Sequence, residues 1–285
     1  MMGIFKVFFH RIGKAFLQCC QTVNYVQVEV AQIQKGNLLS NKKILITGGS
    51  KGIGYAMAKK FLSEGADVII TGRSEKSLKE ACSNLGKHIQ YIVFDVNNTG
   101  DLLNLIDECK TRFNGSITDL VCNAGISHHE SNILSVTEEG FDCQFNTNLR
   151  SVYFLCQTFL KSKLEEENTT SNILVISSET GDMGYDIPYG MTKAGLNSLT
   201  RALARRYYSK NIRVNAIAPG VTLSEMTKYA KSEDGNLSRK CAAGRIFLPE
   251  EVAEVACFLL SDAANCISGE IIHTNAGNHI RAFWD

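Results

Sequence analysis

From Lys43 onward, apolar residues come in short runs that alternate with longer stretches where they recur every three or four positions. Residues 43–47 (KILIT) have the length and β-branched content of a buried strand, and residues 53–64 follow with helical spacing. Residues 67–71 (DVIIT) predict a second strand, and residues 74–84 a helix with Ser74 as its N-cap. The alternation continues, with further strands predicted at 89–94, 119–122, 173–177, 212–217 and 271–274 and helical segments between most of them. Short strands alternating with helices imply parallel βαβ units with right-handed crossovers, hence an α/β fold with a doubly wound parallel sheet. No Pro/Gly/Ser-rich linker divides the chain, so residues 41–285 are expected to form one domain.

The first 40 residues follow another pattern. Phe5, Phe8, Phe9, Ile12, Phe16 and Cys19 recur at helical spacing, while Lys6, His10, Arg11 and Lys14 interrupt any continuous apolar run. Such a stretch is no transmembrane span, and it lacks the order of a secretory signal. A basic amphipathic helix suits packing on its own domain or oligomer, or peripheral contact with a membrane or a partner; the lack of acids before Glu29 also suits a transit peptide.

Composition narrows the class. The chain has 285 residues, 44% of them apolar, which is enough to bury a core without staples. Its 30 basic and 29 acidic side chains give a net charge of +1, which offers no general attraction to nucleic acid or an anionic surface. Ten cysteines are scattered with no Cys-x-x-Cys, and several sit inside apolar runs, as in Leu120-Val121-Cys122. They read as reduced, packed thiols of a cytoplasmic protein. His128 and His129 are neighbours without a third ligand, so they read as loop residues near a pocket mouth, and no metal site is expected.

The first chemical motif runs Thr47-Gly48-Gly49-Ser50-Lys51-Gly52-Ile53-Gly54, after a predicted strand and opening a helix. Glycines in that position let the backbone turn tightly and approach a pyrophosphate, whose charge meets the helix N-terminal amides. A second motif, Tyr189-Gly190-Met191-Thr192-Lys193, puts a phenol and an ammonium four residues apart on one helix face. Tyr55 and Lys59 share that spacing but follow the glycine loop, and they read as ordinary helix residues. Tyr189 has a different context, because the run ending Ile176-Ser177-Ser178 delivers a serine at the carboxyl end of a strand.

Taken together, these residues resemble the short-chain dehydrogenase/reductase family, from about Lys42 to Gly277. The resemblance implies a Rossmann-like domain and makes the loop from Thr47 to Gly54 the cofactor motif. It makes Asp95-Val96 the adenine-side acid, Asn123-Ala124-Gly125 the strand-four turn, and Asn148, Ser178, Tyr189 and Lys193 the catalytic set. It also places Pro219, Gly220, Val221 and Ser224 beside a nicotinamide. Arg73, after the second strand, and Lys51, within the loop, supply cations for a 2′-phosphate, so the expected cofactor is NADP(H). Hydride transfer to a carbonyl leaves an alkoxide needing a proton, and Lys193 is expected to lower the Tyr189 pKa toward neutrality.

The chain departs from the family at Cys122 and at Asn275-Ala276-Gly277, where Asp-Gly-Gly is frequent. It also departs at Arg205 and Arg206, where relatives commonly carry a carboxylate at a subunit interface. The polar segment 223–245 reads as a lid. The expected partners are a small carbonyl or alcohol substrate, such as a 3-oxoacyl thioester, and further copies in a homodimer or homotetramer. A sugar or polyol dehydrogenase and a non-catalytic NADP-binding module recruited through its N-terminal helix stand as alternatives.

Overall fold

The computed structural model describes residues 36–166, 170–227, 236–238 and 241–280; the amphipathic segment at 5–19 lies outside the described residues. Seven strands form one sheet: β1 (Lys43–Thr47), β2 (Asp67–Gly72), β3 (Ile89–Val93), β4 (Asp119–Cys122), β5 (Ser171–Ile176), β6 (Ile212–Pro219) and β7 (Ile271–Thr274). Every pairing is parallel, in the order β3-β2-β1-β4-β5-β6-β7. The helices are α1 (Gly52–Ser63), α2 (Glu75–Leu85), α3 (Leu102–Arg112), α4 (Glu138–Phe145), α5 (Ser151–Leu164), α6 (Pro188–Tyr207) and α7 (Pro249–Leu260).

The near-continuous apolar strands follow from burial on both faces. Alternate side chains of a strand point to opposite sides. Ile44, Ile46, Val68 and Ile70 therefore pack with Met57 and Phe61 of α1, Leu78 of α2 and Val252 of α7. Leu45 and Ile69 face the other way, toward Leu105 of α3, Phe159 of α5 and Leu196 of α6. Ser74 caps α2 as its sequence suggested, its hydroxyl accepting the Ser77 amide at 3.3 Å.

Four of the seven strands differ from their expected bounds, and two of the shifted ends bear on the site. β5 ends at Ile176, so both Ser177 and Ser178 lie beyond the strand, and β6 runs on to Pro219. Residues 36–40 already belong to the domain: Leu39 is fully buried, and the buried Glu64 carboxylate accepts the amides of Gly36 and Leu38.

The strand order reverses between β1 and β4. Connections after β1 run toward β3 on one side, whereas β4 to β7 run the other way, which opens a crevice at the carboxyl ends of β1 and β4. Both motifs meet there.

Candidate active site

Thr47 ends β1 and fastens the crevice. Its hydroxyl donates to the Val121 carbonyl at 3.3 Å and accepts the amides of Asn123 and Ala124, each at 3.1 Å. The Asn123 amide group in turn donates to the carbonyls of Thr47 and Gly48 at 3.0 and 2.9 Å. The glycine loop and the turn after β4 are thereby one unit. Gly48 has φ +66°, and a Cβ at Gly54 would lie 2.3 Å from the Gly48 carbonyl oxygen, so no side chain fits between loop and helix.

Ser178 leaves β5 at the opposite wall. It is 8% exposed, and its hydroxyl accepts the Thr180 amide at 3.3 Å as the cap of a short turn, Glu179–Asp182. Its neighbour Ser177 faces inward, donating to Asn197 at 2.6 Å. Pro188 starts α6, which carries Tyr189 on its first turn and Lys193 one turn later. The buried Lys193 ammonium donates to the Ile176 carbonyl at 2.8 Å and sits 5.5 Å from the centroid of the Tyr189 ring. Asn148 lies in a π-helical turn, Asn146–Arg150, between α4 and α5. Its side chain is fully buried and brackets Ile126, accepting the backbone N–H and donating to the carbonyl, both at 2.8 Å.

Ser178, Tyr189 and Lys193 line one cavity of ≈ 270 Å³ with Gly48, Gly52, Ile53, Asn123 and Pro219 among the other walls. A second cavity of ≈ 360 Å³ holds Ser50, Arg73, Asp95 and Val96. The two share Gly48, Lys51, Ala124 and Gly125, so they meet along the glycine loop. Gly220 and Ser224 line the first cavity, whereas Val221 lines neither: its carbonyl accepts the Phe247 amide at 2.8 Å, and Thr222 takes the wall position. Thr47, Gly54 and Asn148 stand behind the walls as supports. Tyr55 packs against the core and Lys59 is exposed, so that pair forms no second site.

Two electrostatic features depart from the sequence expectation. Burial pushes the Tyr189 phenol above its ordinary pKa; the Ser178 hydroxyl pulls the other way, and Tyr185 and Glu179 add to the rise. Burial also lowers Lys193, to about 8. Lys193 therefore does not bring the phenol toward neutrality in the free protein, because desolvation disfavours both charged forms. Lys51, expected as a free cation, pairs with Glu225 at 2.9 Å, while Arg73 is exposed and forms no ion pair among the described residues.

Glu225, Met226 and Thr227, to which the sequence assigns no site role, all line the first cavity. They belong to the expected lid, which is flanked by a parallel bridge between Thr222 and Phe247. His129 reaches the same segment, its Nε2 2.7 Å from the Met226 carbonyl oxygen, which puts the histidine pair beside the cavity mouth. No periodicity marks these positions, since loop contacts between distant segments leave none. No helix among the described residues is long and apolar enough to cross a membrane.

A doubly wound sheet whose switch-point crevice gathers a serine, a tyrosine and a lysine behind a glycine loop defines an oxidoreductase of the Rossmann-like class. The family model described as Enoyl-(Acyl carrier protein) reductase matches residues 48–279. The chain belongs to the short-chain dehydrogenase/reductase family. It is 33% identical over 247 residues to the 3-oxoacyl-(acyl-carrier-protein) reductase FabG of Chlamydia trachomatis, covering 84% of this chain and 98% of that protein. Against the FabG of Escherichia coli it is 32% identical, with 84% and 98% covered. Among solved structures, a 3-ketoacyl-(acyl-carrier-protein) reductase from Brucella melitensis complexed with NADH is similar at TM-score 0.77 and 28% identity, with 85% of this chain and 100% of that chain covered.

Proposed function

We propose that the protein is an NADP(H)-dependent reductase of carbonyl groups, acting on a 3-oxoacyl thioester. The observation that carries this reading is the convergence of Ser178, Tyr189 and Lys193 on a cavity that meets a second one ending at Arg73. A nicotinamide dinucleotide fits the residues present: Gly48, Gly52 and Ile53 line the cavity where the glycine loop opens α1, and a Cβ at Gly54 would push that loop off the helix. Gly48, Ser50, Gly52 and Ile53 would hold the pyrophosphate, Asp95 and Val96 the adenosine end, and Asn123, Pro219, Gly220 and Ser224 the nicotinamide end. When bound, the cofactor supplies the hydride.

The chain's own groups supply the rest. Ser178 Oγ keeps its proton after accepting from Thr180, so it is free to donate to a substrate oxygen. Tyr189, held neutral by burial, is the proton donor to the alkoxide. Lys193 holds a positive charge below pH about 8 and stabilises charge as the phenol gives up its proton. Asn148 ties Ile126, beyond the turn after β4, to the π-helical turn before α5 and reaches Thr192 of α6, beside Lys193. Reduced thiols throughout the described residues suit a cytoplasmic enzyme, and exposed Tyr153 and Leu164 on α5 suit a homodimer or homotetramer.

The test is NADPH oxidation against acetoacetyl-CoA, ketoses, diketones and steroid ketones. Turnover confined to the thioester supports the reading; turnover confined to ketoses moves the protein to the sugar and polyol dehydrogenases. NADPH binding without turnover of any kind favours the binding module.

Cofactor choice has its own prediction. An arginine that meets a 2′-phosphate makes a charge-assisted hydrogen bond, so Arg73→Ser is expected to weaken NADPH binding about 10- to 100-fold and leave NADH unchanged. Glu225→Gln frees Lys51 for the dinucleotide and tightens it about two- to fivefold, a small effect because the pair is solvent-exposed. Fluorescence titration of both nucleotides measures both variants, and an equal loss of NADH and NADPH on Arg73→Ser rejects the 2′-phosphate assignment.

A further inference from the structure

The turn after Ser178 carries contacts that the proposed chemistry leaves unused. Glu179 is buried, 7% exposed, and its Oε2 accepts the side-chain amides of Asn275 at 2.9 Å and Asn278 at 3.1 Å. Three residues on, Asp182 Oδ2 lies 3.0 Å from Nε2 of His273, whose ring stacks on that of His279 with centroids 3.6 Å apart. The segment after β7 is itself tied together. Asn275 Oδ1 accepts the Gly277 amide at 3.1 Å, and Ala276 is held at φ +51°, a conformation that costs a residue with a Cβ. A carboxylate removed from water and a strained alanine persist only where surrounding contacts over-determine them.

On its other side the turn presses on α6. A Cβ at Gly181 would lie 2.9 Å from the Lys193 carbonyl carbon and 2.9 Å from Asn197 Nδ2, so the turn has no room to shift toward that helix. The Gly181 amide donates to the Ser178 carbonyl at 3.0 Å, which passes any movement of the turn to the serine. The turn is thus gripped between α6 and the segment that follows β7.

We infer that Glu179 is a positioning residue: with Asn275 and Asn278 it clamps the Glu179–Asp182 turn to the segment after β7 and so holds Ser178 in register with Lys193. This rests on the roles proposed above for Ser178 and Lys193. The departure from Asp-Gly-Gly at Asn275-Ala276-Gly277 then has a local purpose, since Asn275 both donates to Glu179 and orders its own turn.

Because both amides bond one carboxylate oxygen, Glu179→Gln keeps an acceptor where the clamp needs it, whereas Glu179→Ala removes it. A small misplacement of a catalytic group is costly, so Glu179→Ala is expected to lower kcat for acetoacetyl-CoA about 10- to 100-fold. The NADPH Kd should stay near wild type, and Glu179→Gln should restore most of the loss. Hydrogen exchange of the full-length protein gives a readout that needs no substrate: the amides of Thr180 and Gly181 exchange faster in Glu179→Ala and not in Glu179→Gln. If Glu179→Ala does not fold, Asn278→Ala removes one donor and produces the same pattern at smaller amplitude.

Wild-type exchange at Thr180 and Gly181 in Glu179→Ala overturns the clamp, as does Glu179→Gln behaving like Glu179→Ala. If wild-type protein fails to reduce acetoacetyl-CoA, the substrate reading falls while the exchange experiment still decides the clamp.

Discussion

Replacing Tyr189 by Phe is expected to lower reductive turnover by about 10³-fold, the range that a positioned general acid contributes. The substitution removes one oxygen and keeps the ring that packs beside Lys193, so the fold and the NADPH Kd should stay at wild-type values. Steady-state NADPH oxidation and a nucleotide titration on the same preparation separate the two. Loss of less than tenfold would mean that another group protonates the alkoxide, with Ser178 the nearest hydroxyl. The pH profile assigns the partner. In the free protein Tyr189 sits above its ordinary pKa and Lys193 at about 8, so the first group to change charge as pH rises from neutrality is the lysine. The ammonium is present below that value and lost above it. Because kcat/KM for the cofactor reports the free enzyme, it should fall as pH rises through about 8. Lys193→Arg, whose charge does not titrate in that range, should flatten the limb. A limb that persists in Lys193→Arg would belong to the phenol.

Gly54→Ala is expected to be a strongly damaging single methyl group, with the shortest Cβ contact of any described glycine. Its Cβ would meet the Gly48 carbonyl oxygen at 2.3 Å and Asn123 Nδ2 at 2.6 Å. Neither neighbour is free to retreat, since Asn123 Nδ2 bonds both loop carbonyls and the Asn123 amide bonds Thr47. The loop must lift away from α1, and overpacking of this kind costs about 1–3 kcal/mol. The thermal midpoint should drop by several degrees, and NADPH affinity should fall by more than tenfold because the cradle opens. Gly100→Ala is the control, as a Cβ there meets nothing within 4 Å. Normal nucleotide binding in Gly54→Ala would show that the loop is not the cradle.

Most of the fold was legible along the chain because a buried parallel strand leaves a dense apolar run and a packed helix leaves a period. Three of the seven strands, Lys43–Thr47, Asp119–Cys122 and Ile271–Thr274, begin and end where that pattern puts them. The ends of β5 and β6 were less legible. They are set by pairing, Ser171 with Ile212 and Pro219 with Thr274, and a partner strand is not visible in the local pattern. Much of the site was legible too, since a glycine loop and a Tyr-x-x-x-Lys step are local, and each of their ends meets the same crevice once the strand order is known.

What the sequence determined by itself is the class of fold and the identity of the chemical groups, because both rest on spacings of a few residues. The electrostatic state of those groups was decided only by the tertiary structure. Burial, which depends on every neighbour at once, raised Tyr189 and lowered Lys193, against the expectation that Lys193 brings the phenol toward neutrality. Contacts between segments far apart in the chain were decided there as well. Lys51 meets Glu225, 174 residues away, and Glu179 meets Asn275, 96 residues away, and no periodic signal records either contact.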